Sequence, residues 1–301
     1  SDQCYETILL SINTLKKALA DNNPIFRCLA IKMISSVPNP EIIPEIQSAI
    51  DQCIGDTNPY VKKSVAYAII KAVELDPNLI EPFLPYIERL MLETDFIALS
   101  GAFAAYWSIC PENIEFIHPN FRHIVNNIEK FDEYGQIYIM RSLAIYTRLC
   151  FKNPNDKKQD LNSAGDSFWE ENNDGNHHDG ITHDHLLIII AAKKLLQSMN
   201  PAVVLSAVSY LYYCSSFHHL NCISRPLVRL LYNSNSGILL TALKTILLIS
   251  QHHPLIFIPH LYHFYVRLND SFEVRSLKLR ILSALASPSN ADLILSEITK
   301  Y

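Results

Sequence analysis

Asp21–Val37 reads DNNPIFRCLAIKMISSV, and thirty-five residues later Asp56–Ala72 reads DTNPYVKKSVAYAIIKA. Both open on an acidic-Asn-Pro turn and continue as an amphipathic helix rich in small residues. Asn or Asp ahead of a helix accepts a hydrogen bond from an otherwise orphaned backbone N–H, and Pro at the first helical position has no N–H to leave unpaired. The same pattern returns seven times. Its first column is Phe26, Val61, Ala98, Ile137, Val203, Leu239 and Val274. Its second, eight residues on, is Ile34, Ile69, Tyr106, Ile145, Leu211, Leu247 and Leu282. A gap of eight returns to the same helix face, so both columns are expected to be buried. Successive copies stand 35, 37, 39, 66, 36 and 35 residues apart. A period of about 35–40 residues is that of an α-solenoid, in which each helix pair buries its apolar stripe only against its neighbours. The expected fold class is all-α: an α-α superhelix, a HEAT/armadillo-like solenoid of about seven helical-pair repeats. Such a chain is a binding scaffold far more often than an enzyme.

The one long step coincides with the one change in composition. Removing an ordinary repeat of about 36 leaves roughly 30 surplus residues, and the stretch 152–182 reads KNPNDKKQDLNSAGDSFWEENNDGNHHDGIT, dense in Asn and Asp with no apolar period. Too few apolar side chains are present there to offset the entropy of ordering. We therefore expect three segments: 1–151, the first part of the solenoid; 152–182, an acidic Asn/His-rich mobile insert; and 183–301, the second part of the same solenoid. Second helices of the pairs are expected at Pro44–Cys53, Pro85–Leu92, Pro119–Ile128, Cys222–Leu231 and Pro259–Leu268, with Pro near the start. Further helices are read at Ile8–Ala20 and Ala291–Tyr301. Neither end is polar enough for a capping repeat, which suggests a fragment of a longer protein or a chain capped by partner subunits.

Bulk composition narrows the class further. Hydrophobic residues make up 49% of the 301 residues, with only seven glycines, which suits packed helices rather than sheets. No run of 18 apolar residues occurs, so no membrane span is expected. Seven cysteines are scattered singly without a CxxC pair, which argues against a disulfide framework and for a reducing compartment. Charge is uneven: −6 over residues 1–150, −5 over 151–186 and +6 over 187–301. A nucleic-acid rod would carry one basic face throughout, so no nucleic-acid partner is expected. The basic last third fits either solvated helix faces or a surface that meets an anionic partner or membrane.

No catalytic constellation stands out: GxSxG, a phosphate loop, HExxH and GxGxxG are all missing, so neither enzyme activity nor a cofactor is expected. His177, His178, His183 and His185 lie beside Asp174, Asp179 and Asp184 and carry metal-ligand chemistry, but a structural site needs a framework the insert does not offer. No metal site is expected. Tyr210, Tyr212, Tyr213 and Tyr232 stand close in sequence; aromatics at helical spacing are more often core than ligand pocket. Lys62 and Lys63 fit either a contact with an acidic partner or head group, or a solvated helix start.

The copies at 23–34 and 58–70, with the preceding INTLKKAL, resemble the opening repeats of beta-adaptins, the large subunits of clathrin-type vesicle adaptors. The likeness narrows to the adaptor-complex-3 beta branch in CPENIEFIHPNFRHIVNNI (Cys110–Ile128), FDEYGQIYIMRSLAIYTR (Phe131–Arg148), ITHDHLLIIIAAKKLLQSMNPAVVLSAVSYLY and FYVRLNDSFEVRSLKLRILSALASPSNADLILSEITKY. It spans essentially the whole chain, including an acidic loop at the same place. Departures are Phe26, where an aliphatic residue is usual, an insert richer in Asn and His, and a drift over 210–221. The resemblance implies a non-catalytic trunk segment of a heterotetrameric coat. Its implied partners are a second large chain, a medium chain and a small chain. It also implies cytoplasmic location, peripheral on Golgi and endosomal membranes and coated vesicles, and early repeats offered to an Arf-type GTPase. Ile25, Phe26 and Arg27, with Lys62 and Lys63, are the expected partner-binding residues. Phe26 can instead be the buried first member of its column. The competing readings are a karyopherin-like transport receptor and a phosphatase-type scaffold.

Overall fold

The computed structural model describes residues 2–152, 182–267 and 269–299, which form two compact units, 1–149 and 150–301. The expected mobile insert, with His177 and His178, lies almost wholly outside the described residues. All regular structure in those residues is helical.

The first unit holds α1 (Asp2–Leu19), α2 (Pro24–Ser35), α3 (Ile43–Cys53), α4 (Pro59–Leu75), α5 (Ile80–Met91), α6 (Phe96–Ile109), α7 (Phe121–Asn126) and α8 (Glu133–Cys150). Helices α2, α4, α6 and α8 make one row, and α3, α5 and α7 follow them as the second helices of the pairs. The second unit repeats the scheme with α9 (His183–Leu195), α10 (Pro201–Cys214), α11 (Ser224–Leu230), α12 (Ser236–His252), α13 (Phe272–Ala284) and α14 (Ala291–Ile298). Four expected second helices differ. Pro85 lies inside α5, which begins five residues earlier at Ile80; Pro119 and Cys222 sit in the 3-10 turns His118–Asn120 and Phe217–Ile223, ahead of the shorter α7 and α11; and Pro259 sits in a 3-10 turn, Ile258–Phe264, rather than opening an α-helix.

Each row helix starts on a side-chain cap. Asn23, Asn58, Asp95, Asn200 and Asn235 accept from the N–H two residues on, and Asp132 and Ser271 from the N–H three residues on. In four copies the cap is itself capped: Asp21, Asp56, Ser198 and Asn233 accept from the N–H of the cap residue two positions later. These nested turns fix where each helix begins.

The caps correct the repeat register. They stand 35, 37, 37, 68, 35 and 36 residues apart. Counted from them, the eleventh residue is Ile34, Ile69, Tyr106, Leu143, Leu211, Ile246 and Leu282, and none is more than 1% exposed. Ile137 and Ile145 were two places late and Leu239 and Leu247 one place late, so all four are only half-buried. The third residue after the cap is buried at Val61, Ala98, Gly135, Val203 and Val274 but exposed at Phe26. That face looks back at the preceding row helix: a Cβ on Gly101 would stand 2.9 Å from the Lys63 backbone, and one on Gly135 would meet the Ser100 side chain. Helix α2 is the first of its row among the described residues, so Phe26, Leu29 and Met33 stay open to solvent.

The core of the first unit centres on α6. Nine consecutive residues, Ala98–Tyr106, are buried, the mark of a helix enclosed on every side. Gly101 lets α4 approach closely, and the small Ser100 meets Gly135 of α8. The thiols of Cys53 and Cys110 are pushed up to about 11 by burial, and Cys214 is buried as well, whereas Cys150 and Cys222 are exposed. Packed cysteines therefore account for some of the scattered thiols and not all. His185 is a core residue: its Nε2 lies 2.7 Å from the Cys214 carbonyl and its ring stacks on Phe151. His183 is exposed, so the two histidines do not converge.

Candidate partner-binding surface

The five residues expected to meet a partner lie on the first turns of α2 and α4 and divide into two groups. Ile25 is 64% and Phe26 52% exposed. The three cations are engaged within the fold. Arg27 makes a two-pronged pair with Asp56, Nε to Oδ2 at 2.7 Å and Nη2 to Oδ1 at 2.9 Å, while its Nη1 donates to the carbonyls of Asp21 and Asn22. Lys62 donates to Glu93 at 2.6 Å and Lys63 to Asp132 at 2.5 Å.

Two of these pairs obey one rule. The fourth residue after a cap, Arg27 or Lys62, reaches the acid two places before the next cap, Asp56 or Glu93. Asp56 thus holds the Asn58 N–H within its own turn and the guanidinium of the previous repeat. Burial works to raise its carboxyl, but the Arg27 hydrogen bond, the Asn58 N–H and the two nearby cations outweigh it and hold the carboxyl below the usual range. The Arg27 guanidinium is correspondingly raised by that hydrogen bond. Lys63 breaks the rule: it passes the Gly101 backbone on α6 and pairs with the cap of the repeat beyond, where Asp132 also accepts from Ser100 and the Gly135 N–H.

With their charges matched, Arg27, Lys62 and Lys63 hold the repeats in place, and the surface above them is mainly apolar. Between α2 and α4 lies an open groove of about 410 Å³ lined by Pro24, Ile25, Cys28, Leu29, Lys32, Asn58, Tyr60, Lys63, Ser64 and Tyr67. Tyr60, in the position of Ile25 one repeat on, is 59% exposed. The Tyr67 hydroxyl is raised by burial first and by Asp132 second. Sequence reasoning missed Tyr60, Asp56, Glu93 and Asp132. The acid-x-Asn spacing at Asp21 and Asp56 was the available signal.

The tyrosines grouped by sequence separate in space. Tyr210 is core, Tyr212 and Tyr213 border a groove of about 270 Å³ with Lys244, and Tyr232 meets His263. In the second unit basic side chains often serve backbone carbonyls rather than acids: Arg229 donates to those of Leu196 and Ser198, and Arg275 to that of Asp270. No described helix is long and apolar enough to cross a membrane.

Capped helix pairs in series, with ion pairs running from repeat to repeat and an open apolar groove, define a helical-repeat scaffold of the HEAT type. The family model described as "Adaptin N terminal region" matches residues 1–301, and the chain belongs to that family. It is 33% identical over its full length to AP-3 complex subunit beta-1 of Homo sapiens, of which it spans 28%. It is 31% identical over 98% of its length to AP-3 complex subunit beta of Dictyostelium discoideum, spanning 29% of that protein. Among solved structures, one described as a homology model of the full-length AP-3 complex in an intermediate open conformation aligns with a TM-score of 0.57 and 26% identity. The alignment covers 97% of this chain and 49% of that one. Membership of the adaptin family favours the adaptor reading over the karyopherin-like and phosphatase-type alternatives.

Proposed function

We propose that this chain is a non-catalytic scaffold segment of a heterotetrameric vesicle-coat adaptor, acting in vesicle-mediated intracellular protein transport. The observation that carries the reading is the match of the whole chain to adaptor-complex-3 beta subunits, at 33% identity without a gap in coverage. The partners we assign are a second large chain, a medium chain and a small chain, and the location is cytoplasmic, peripheral on Golgi and endosomal membranes. Repeated helix pairs with matched internal charges suit a scaffold, because each repeat is held by its neighbours and leaves its outer face for others. We also assign 1–151 and 183–301 to one repeat register interrupted by 152–182. The cap spacing of 68 residues across the insert supports this, being one ordinary repeat plus the surplus.

The early repeats supply the contact with an Arf-type GTPase in this proposal. Ile25 and Phe26 are the contact residues, and Arg27, Lys62 and Lys63 fix the helices that present them. Exposed bulky apolar side chains beside a groove have the composition of an interface centre. Pull-down by the GTP-loaded GTPase tests the contact. Retention of wild-type chain with loss of Ile25→Asp supports it, and equal retention of both removes this surface from the proposal.

A further inference from the structure

The second unit carries a cluster of cation-forming side chains that the scaffold role does not use. On the 3-10 turn Ile258–Phe264, the rings of His260 and His263 lie 6.0 Å apart, and Tyr262 packs on His263 at 3.8 Å. Tyr232, just past α11, places its hydroxyl 2.5 Å from His263 Nδ1. The Arg267 guanidinium lies 5.8 Å from the centre of the Tyr232 ring. One short turn and the segments beside it thus gather two imidazoles, a guanidinium and two phenols.

The charges around the cluster are one-sided. Asp270, the carboxylate closest along the chain, is committed elsewhere: its Oδ2 accepts from the Arg267 backbone N–H at 2.8 Å and from the Lys278 ammonium at 2.7 Å. Arg229, on α11, is spent on the carbonyls of Leu196 and Ser198. His263 is held below the usual imidazole range by burial, then by His260 and Arg267, with no acid acting in the other direction. Residues 187–301 as a whole carry +6. A guanidinium held beside two imidazoles without a counter-charge is stabilised by an anion that accepts several hydrogen bonds, and arginine with histidine suits a phosphate oxygen cluster.

We propose that His260, His263, Arg267 and Tyr232 form a binding site for a phosphomonoester group, presented to the chain as the head group of an anionic lipid. Arg267 supplies the permanent charge and fork of donors. His263 Nε2 and the His260 ring supply N–H groups, and the Tyr232 hydroxyl fixes the His263 ring through Nδ1. Tyr232 and Tyr262 are 59% and 63% exposed and flank the site with amphipathic rings suited to a lipid–water boundary. An anion draws a proton onto the His263 imidazole, against the burial that keeps it neutral, so binding strengthens as pH falls from 7.5 to 6. The site stands on its own geometry and does not depend on the adaptor reading.

The whole chain is titrated with inorganic phosphate, following histidine ring-proton shifts. It is then floated with vesicles of phosphatidylcholine alone or doped with phosphatidylinositol 4-phosphate, at both pH values. The expected result is phosphate-dependent shifts of His260 and His263 and recruitment to the doped vesicles that is stronger at pH 6. Arg267→Gln should bind about fivefold more weakly, the effect of one basic residue near an anionic surface, while Arg225→Gln, outside the cluster, binds as wild type. Circular dichroism confirms that both variants are folded. Shifts with phosphate but no vesicle recruitment uphold the anion site and give it a soluble phosphate ligand in place of the lipid. An absence of both responses, or a folded Arg267→Gln chain that binds like wild type, overturns the site.

Discussion

Lys63, on α4, places its ammonium 2.5 Å from the Asp132 carboxylate that caps α8, passing over the intervening helix α6 at Gly101. A side chain at position 101 would strike the Lys63 backbone, with its Cβ 2.9 Å from Cα and 3.1 Å from the carbonyl oxygen. Backbone cannot swing aside as a rotamer can. Gly101→Ala should therefore cost about 1–3 kcal/mol, the range for overpacking, despite the gain in helix propensity. Urea unfolding of the two proteins checks this, and an unchanged or raised midpoint would show that α4 and α6 are not in such close approach.

The corrected register separates two adjacent leucine-class side chains. Ile246 is fully buried and Leu247 only half-buried on the same helix. Ile246→Ala should cost roughly 2–5 kcal/mol as a core truncation, and Leu247→Ala clearly less. Equal losses would put the register back where the apolar letters alone had placed it.

Why the letters misled at two copies has a physical cause. Asn-Pro marks the helix starts at Asn23, Asn58 and Asn200 without ambiguity, and there the columns were placed correctly. Helix α8 opens on Asp132-Glu133-Tyr134-Gly135, with no Pro, and the third position holds Gly because Ser100 crowds it. An apolar-column search skips such a residue and slides to Ile137. At α12 the sequence after Asn235 is Ser-Gly-Ile-Leu-Leu, and any of three apolar residues would satisfy the pattern. The fold was thus legible from caps and period. The roles of Arg27, Lys62 and Lys63 were not, because their partners lie 29, 31 and 69 residues away and depend on how the repeats stack.

Acid should loosen the first unit through Asp56. Its folded pKa is depressed, so its stabilising contribution is complete above the unfolded value near 4 and is lost as pH falls through the lower folded value. Thermal midpoints of wild type and Asp56→Asn should differ at pH 7 and draw together below about pH 4. A gap that persists undiminished in acid would mean the Arg27 pair contributes nothing through charge.

His185 acts with the same sign over a different window. Burial lowers its pKa, against the hydrogen bond to the Cys214 carbonyl, so the unfolded chain takes up a proton first as pH falls. Its contribution is whole above about pH 6.5 and declines below it. Between pH 7.5 and 5.5 wild type should lose stability more steeply than His185→Phe, measured by denaturant midpoint. Parallel slopes would place the histidine outside the core.

The partner surface makes a prediction with two readouts. Ile25 and Phe26 are exposed, so Ile25→Asp and Phe26→Asp should leave the helix signal intact and change stability by no more than about 0.5 kcal/mol, as surface substitutions do. Binding to the GTP-loaded GTPase should nonetheless fall sharply. Unfolding of either variant would show that these side chains are core residues.

A scaffold segment of an adaptor coat is recognised by its company in the cell. The native polypeptide that carries residues 1–301 should be immunopurified under mild conditions and its co-purifying chains identified and quantified by mass spectrometry. A second large adaptor chain, a medium chain and a small chain are expected in equal amounts with it. Recovery of the polypeptide without any adaptor subunit, or in stoichiometric complex with nuclear transport cargo or a phosphatase catalytic chain, would contradict it.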